Sequence, residues 1–197
     1  MANIAAGEFG VTVDGVEYTF RPSFRALASL GTPDELAAML DRVQRATKSG
    51  FASALAVLSA CCDDDSVSDA IGFYRDVGGK LRYVQKRLPW EDVYVLGARC
   101  LINGMVGDVK DAKRIKPSDK PPKQFNPAEF ASVAMVHLGV SRDDAWNMTM
   151  HELQRAMMVK HPDMVQDLPT KEEYRTAVDT VKRIREKAAQ LRSGPNG

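Results

Sequence analysis

Few side chains in this sequence have the type and spacing that bond-making chemistry needs. His137, His151 and His161 are the only histidines. Their spacings place no two on one helical turn, as a helical two-histidine metal site requires, so they read as surface or helix-end histidines. Asp63-Asp64-Asp65-Ser66 suggests calcium, but the glycine and distal glutamate of a calcium loop are missing. Cys61, Cys62 and Cys100 are odd in number, two are adjacent, and no Cys-x-x-Cys occurs. Reduced thiols acting as small buried hydrophobes in a cytosolic compartment fit them best. Glu172-Glu173 and Asp143-Asp144 stand at helix starts, where the helix macrodipole already favours carboxylates. With no nucleophile–base pairing, glycine-rich phosphate loop or zinc pattern, the reading assigns no catalytic residue, no cofactor and no metal. Recognition, rather than catalysis, is the expectation.

The recognition candidates concentrate near the C-terminal end. Leu138-Gly139-Val140-Ser141 is followed closely by Trp146-Asn147-Met148-Thr149-Met150-His151-Glu152-Leu153. Thr149-x-x-Glu152 is a capping box, in which the hydroxyl accepts from the Glu152 N–H and the carboxylate reaches back to the Thr149 N–H. The segment therefore reads as helix, tight turn, helix. A DNA-reading helix would present cations and donors, yet this one begins Arg142-Asp143-Asp144. The formal charge of +1 gives little electrostatic background to offset those carboxylates. A helix-turn-helix regulator stays an alternative, but the residues argue against nucleic acid. Met148, Met150, Met157, Met158 and Met164 make five of the nine methionines. On the Thr149 helix, Met150, Leu153 and Met157 share a core-facing stripe, and Met158 lies about 100° away, where an apolar partner can reach it.

These residues must be positioned by the rest of the chain. Phe9 to Phe20 reads as a β-hairpin, because Asp14-Gly15 suits a two-residue turn with positive φ at both positions. Helices are expected from Phe24, from Pro33 behind the cap Thr32, over Phe51–Cys62, over Val67–Val77 up to Gly78-Gly79, and from Pro89 to about Gly104. Asp108 to Gln124 is rich in lysine and proline and has almost nothing to bury, so it reads as an exposed linker. Beyond it, helices are expected from Asn126-Pro127, from Ser141 and from Thr149 to Lys160, before Pro162. Thr170-x-x-Glu173 opens a last helix to about Arg192, with a seam at Ala177, Val181, Ile184, Ala188 and Leu191. The seam suits packing within the chain or on a partner, including self-association. Residues 193–197 read as a frayed tail. The fold expected is mainly α: a helical bundle-like body with an N-terminal β-hairpin over 1–107, a linker over 108–126, and a smaller C-terminal helical module over 127–197. The start Met1-Ala2-Asn3-Ile4 has no signal-peptide pattern, and no apolar run is long enough to span a bilayer.

Two segments resemble a known family, the tail assembly chaperones of long-tailed bacteriophages and related gene-transfer particles. One is Trp146–Leu153, similar to the family's pattern of tryptophan, spacer, threonine, two residues, glutamate and an apolar residue. The other is Gly15-Val16-Glu17-Tyr18-Thr19-Phe20-Arg21-Pro22-Ser23, which looks like the family's N-terminal strand entering its first helix. The resemblance implies a mostly helical, non-catalytic protein of the host cytoplasm. It would hold tail-tube or tape-measure protein in an assembly-competent form and be absent from the mature virion. Partner contact is then expected at Trp146, Met158, Val181, Ile184 and Leu191, with Thr149 and Glu152 as structural caps. A structural tail or head completion protein is the other alternative.

Overall fold

Asp14 and Gly15 both adopt positive φ, 49° and 82°, the backbone that the expected turn demands. Strands β1 (Phe9–Val13) and β2 (Val16–Phe20) therefore pair antiparallel, with Phe9 opposite Phe20 and Val11 opposite Tyr18. The face so formed is the buried one, and the Phe9 and Phe20 rings stack with centroids 5.1 Å apart. The computed structural model describes residues 1–107, 124–161, 179–180 and 182–190. The body of the expected linker (108–123), Pro162, the Thr170–Glu173 box, Ala177, Val181, Leu191 and the tail lie outside the described residues.

Side-chain caps start the first helices, and Thr47 starts the third at Lys48, three residues before the expected Phe51. Ser23 caps α1 (Phe24–Ala28), Thr32 and Glu35 form a full capping box on α2 (Pro33–Gln44), and Thr47 caps α3 (Lys48–Cys61). Apolar on most faces, α3 becomes the central element, with Ala54, Val57 and Leu58 fully buried. It packs against α5 (Trp90–Met105) at unusually close range. A Cβ on Gly97 would stand 2.4 Å from the Ala54 Cβ, so only glycine lets the two backbones meet there. Phe51 of α3 stacks on Trp90 at 4.6 Å and meets Tyr83 edge-on at 4.7 Å. The Tyr94 hydroxyl, between the same helices, donates to the Thr47 carbonyl at 3.1 Å.

The helix expected over Val67–Val77 is corrected. Only α4 (Val67–Ile71) is helical, and β3 (Phe73–Val77) and β4 (Lys80–Val84) form a second antiparallel hairpin. Gly72 leaves the helix at φ 84°, ψ −179°, a conformation open to glycine alone. Gly78 and Gly79 then both take positive φ, 63° and 77°, so the pair read as a helix stop is instead a hairpin turn. Phe73, Tyr74, Val77, Tyr83 and Val84 supply the β preference that wins.

Beyond the undescribed stretch, Asn126 caps α6 (Pro127–Val133), which continues as one π-type turn over Ala134–Leu138 and ends at Gly139. Ser141 caps α7 (Arg142–Asn147), and Thr149 with Glu152 caps α8 (Met150–Lys160). Residues 179–180 and 182–190 are helical. These elements do not form a separate module. Phe130 stacks on Phe24 of α1 at 5.8 Å, Gln154 donates to the Val106 carbonyl at 2.8 Å, and Arg185 pairs with Asp92 of α5 at 3.0 Å. Helices of six to eleven residues such as α7 and α8 cannot enclose a core alone, so they share the one built by α1, α3 and α5. Phe125, placed in the exposed linker by composition, is likewise buried: its N–H donates to the Pro33 carbonyl at 3.1 Å and its ring stacks on Phe130. Among the described residues no helix is long and apolar enough to cross a membrane.

Two outcomes follow from the α3–α5 contact. Gly97→Ala should lower stability by about 1–3 kcal/mol through overpacking, read as a lower urea midpoint at unchanged m-value. Burial pushes the Tyr94 phenol up to about 12, although the bond to Thr47 pulls the other way. The stability held by its neutral form is complete below the ordinary value of 10.0 and drains as pH rises toward 12. Tyr94→Phe should therefore cost roughly 1 kcal/mol at neutral pH and flatten the alkaline decline in the unfolding midpoint.

Candidate functional site

The two chain segments singled out in the sequence, Gly15–Ser23 and Trp146–Leu153, meet in space. Arg21 leaves β2 with its N–H bonded to the Cys61 carbonyl at 2.7 Å, which fixes the backbone against the end of α3. The hairpin register that pairs Phe9 with Phe20 carries on to set Glu8 beside Arg21, and Nη1 of the arginine donates to Glu8 Oε1. Its Nη2 donates to both carboxylate oxygens of Glu152, at 2.7 and 2.9 Å, and to the Asn147 carbonyl at 3.0 Å. Burial alone would lower the Arg21 pKa, but the bonds to Glu152 and Glu8 outweigh it and raise the value. The guanidinium is thus a permanent cation with its donors committed.

Thr149 and Glu152 hold the other side of this clamp. The capping box is complete: the Glu152 N–H donates to Thr149 Oγ1 at 3.2 Å, and the Thr149 N–H donates to Glu152 Oε2 at 2.9 Å. The fully buried Thr149 hydroxyl also donates to the Ala6 carbonyl at 2.6 Å, tying α8 to the residues before β1. Ser23 and Thr149 form a β-bridge, and the Phe24 N–H donates to the Met148 carbonyl at 2.9 Å. Thr149 and Glu152 therefore stand as structural residues, and Arg21 and Glu8 complete their network. The signal for Glu8 lay in hairpin register, and that for Glu152 in its capping box. Nothing local paired Arg21 with residues so distant in sequence.

Two open grooves flank the clamp. One, of about 540 Å³, is bordered by Arg21, Ser23, Arg25, Asp63 and Asn147. The other, of about 460 Å³, lies between Arg25, Ala28, Arg142, Asp143 and Trp146. Half-buried Trp146 forms part of its wall. Arg25 and Asp143 pair at 2.6 Å across exposed surface, with side chains 55% and 75% accessible, so solvent screens them and an incoming anion can replace the carboxylate.

The remaining expected contacts separate. Met158 is half-buried on α8 next to Val159, which is 85% exposed. Ile184 is corrected from partner surface to core: at 3% accessible it packs inside the chain, as does Ala188. The seam thus finds its apolar cover within the molecule wherever it is described, and Val181 and Leu191 lie outside that range. The His137 and His161 rings, far apart in sequence, approach to 6.3 Å where the π-type turn meets the end of α8. Among the described residues no three His, Cys, Asp or Glu side chains gather as a metal would need.

Arg21→Met should destabilise the protein by about 2 kcal/mol, below the 3–5 typical of a broken buried pair because the guanidinium is partly solvated. A double-mutant cycle with Glu152→Gln should return a coupling of roughly 1 kcal/mol or more. Thr149→Val should cost about 2 kcal/mol and Thr149→Ser less than half of that, since serine keeps both bonds. Thermal unfolding of the single and paired variants reads all of these.

No curated protein and no solved structure matches the chain. Residues 37–176, which include the α8 capping box and the second hairpin, match the model described as "Family of unknown function (DUF6246)". The chain belongs to that family.

Proposed function

We propose that this protein is a tail assembly chaperone of a long-tailed bacteriophage or a related gene-transfer particle. It binds tail-tube protein, tape-measure protein or both, acts in the host cytoplasm, and is absent from the finished particle. The observation that carries the reading is the joining of Gly15–Ser23 to Trp146–Leu153 through Arg21, Glu152 and the Ser23–Thr149 bridge. The two stretches that resemble the family are thereby parts of one structural unit. The contact face is placed at the far end of α8, where Met158 is half-buried and Val159 and, on the π-type turn, Val136 are 85% and 78% exposed. Lys160 Nζ donates to the His137 carbonyl and holds these two elements together. Apolar side chains so displayed suit reversible cover of a partner's apolar helix or strand edge.

Co-expression with the tail-tube protein encoded nearby should raise that partner's soluble yield several-fold and give a complex on size exclusion. Val136→Asp/Val159→Asp should abolish the gain while leaving the melting temperature within about 1 °C, as exposed substitutions do. An unchanged yield with no complex, for tail-tube and tape-measure proteins alike, would sink the proposal. Mass spectrometry of purified particles should lack the chain; finding it there would make it a structural component.

A further inference from the structure

The β3–β4 hairpin carries a charge pattern that its own chain does not satisfy. Residues 72–88 hold Arg75, Lys80, Arg82, Lys86 and Arg87 against Asp76 alone, a local net of +4 in a chain of net +1. Lys86 and Arg87 pair with Asp69 and Asp14, at 3.7 and 2.9 Å. Arg75, Lys80 and Arg82 are exposed and join no ion pair among the described residues. The register sets Arg75 directly opposite Arg82 and Lys80 opposite Val77, so all three cations share one face. Like charges placed opposite each other repel. The other face is largely apolar: Tyr74 meets Tyr83 edge-on at 5.9 Å, and Leu81 is 72% exposed. Asp76 lies on that second face, where its carboxylate is engaged by the Gly79 N–H at 2.8 Å.

We propose that the free edge of β4 accepts, as a third strand, an extended segment of a partner protein in which carboxylates alternate with apolar residues. Side chains of an added strand point alternately to the two faces. Its carboxylates would fall beside Lys80 and Arg82 and relieve the repulsion with Arg75, while its apolar residues would lie beside Leu81 and Tyr83. The β3 edge is the poorer host, because Asp76 would confront the apolar half of the segment. The hairpin is two-stranded, with no third strand among the described residues, and a two-stranded sheet gains most from a further strand. Nucleic acid fits less well: the three cations are interrupted by apolar side chains, and the near-neutral chain offers no continuous track for phosphates. The inference stands apart from the tail-assembly reading, since it depends on the hairpin and not on Val136 or Val159.

The test uses the full chain, labelled for amide NMR, and a capped octapeptide alternating glutamate and valine. Addition of the peptide should shift the amides of residues 80–84. Lys80→Glu/Arg82→Glu should weaken binding by about tenfold or more, and rising salt should weaken it in the wild type. Circular dichroism checks that the variant folds; if it does not, Lys80→Gln/Arg82→Gln provides the same comparison. Absence of any shift at millimolar peptide would overturn the proposal, leaving the cations as guards against unwanted strand pairing. So would equal binding of a lysine–valine octapeptide, or tighter binding of an oligothymidylate at the same amides.

Discussion

The Arg21 guanidinium sits where three parts of the chain converge: the residues before β1, the exit from β2 and the start of α8. From the exit of β2 it donates to Glu8 before β1, to the Asn147 carbonyl at the end of α7 and to both oxygens of Glu152 in the first turn of α8. A planar fork of fixed N–H groups is suited to several oxygens at once, which a lysine ammonium would satisfy with less geometric constraint. Because Thr149 shares Glu152 and also reaches Ala6, the cap of α8 and the closure of the N-terminal segment are one network. The placement of α7 depends on it too, since the Met148 and Asn147 carbonyls accept from the Phe24 N–H and the Arg21 guanidinium.

Beneath that network the core is organised by close approach rather than bulk. Gly50 and Gly97 allow Tyr94 and Ala54 to occupy space that any side chain would take. Beside the Gly50 contact, Phe51, Tyr83, Trp90 and Tyr94 form one aromatic group. The second hairpin is anchored there through Tyr83, whose hydroxyl donates to the Ile71 carbonyl at 2.6 Å. Its distal half is left in solvent for want of anything to pack against. The same packing that secures one end of the hairpin thus presents the other.

Two surfaces of different chemistry result. The end of α8 and the neighbouring π-type turn display aliphatic side chains, suited to apolar cover. The hairpin displays unpaired cations on one face and aromatic and aliphatic groups on the other, suited to an alternating acidic strand. Neither surface includes the Arg21 clamp, whose donors are already committed. The grooves beside Arg25 and Trp146 adjoin the clamp and include no residue of either surface.

Local signals in the sequence determined the first hairpin, the caps at Thr32, Asn126, Ser141 and Thr149, and the mainly helical character. Each rests on interactions among residues within about four positions of one another, which sequence displays directly. The second hairpin was within reach as well, but Gly78-Gly79 ends a helix or turns a hairpin with equal ease. Only the pairing of Phe73 with Val84 and the docking of Tyr83 on Phe51 selected the strand. Tertiary structure alone decided that Arg21 faces Glu152, that Ile184 and Phe125 are buried, and that the elements on either side of the lysine-rich stretch share one core. Those outcomes depend on which apolar faces find each other across long separations in sequence, and composition and periodicity carry no record of that choice.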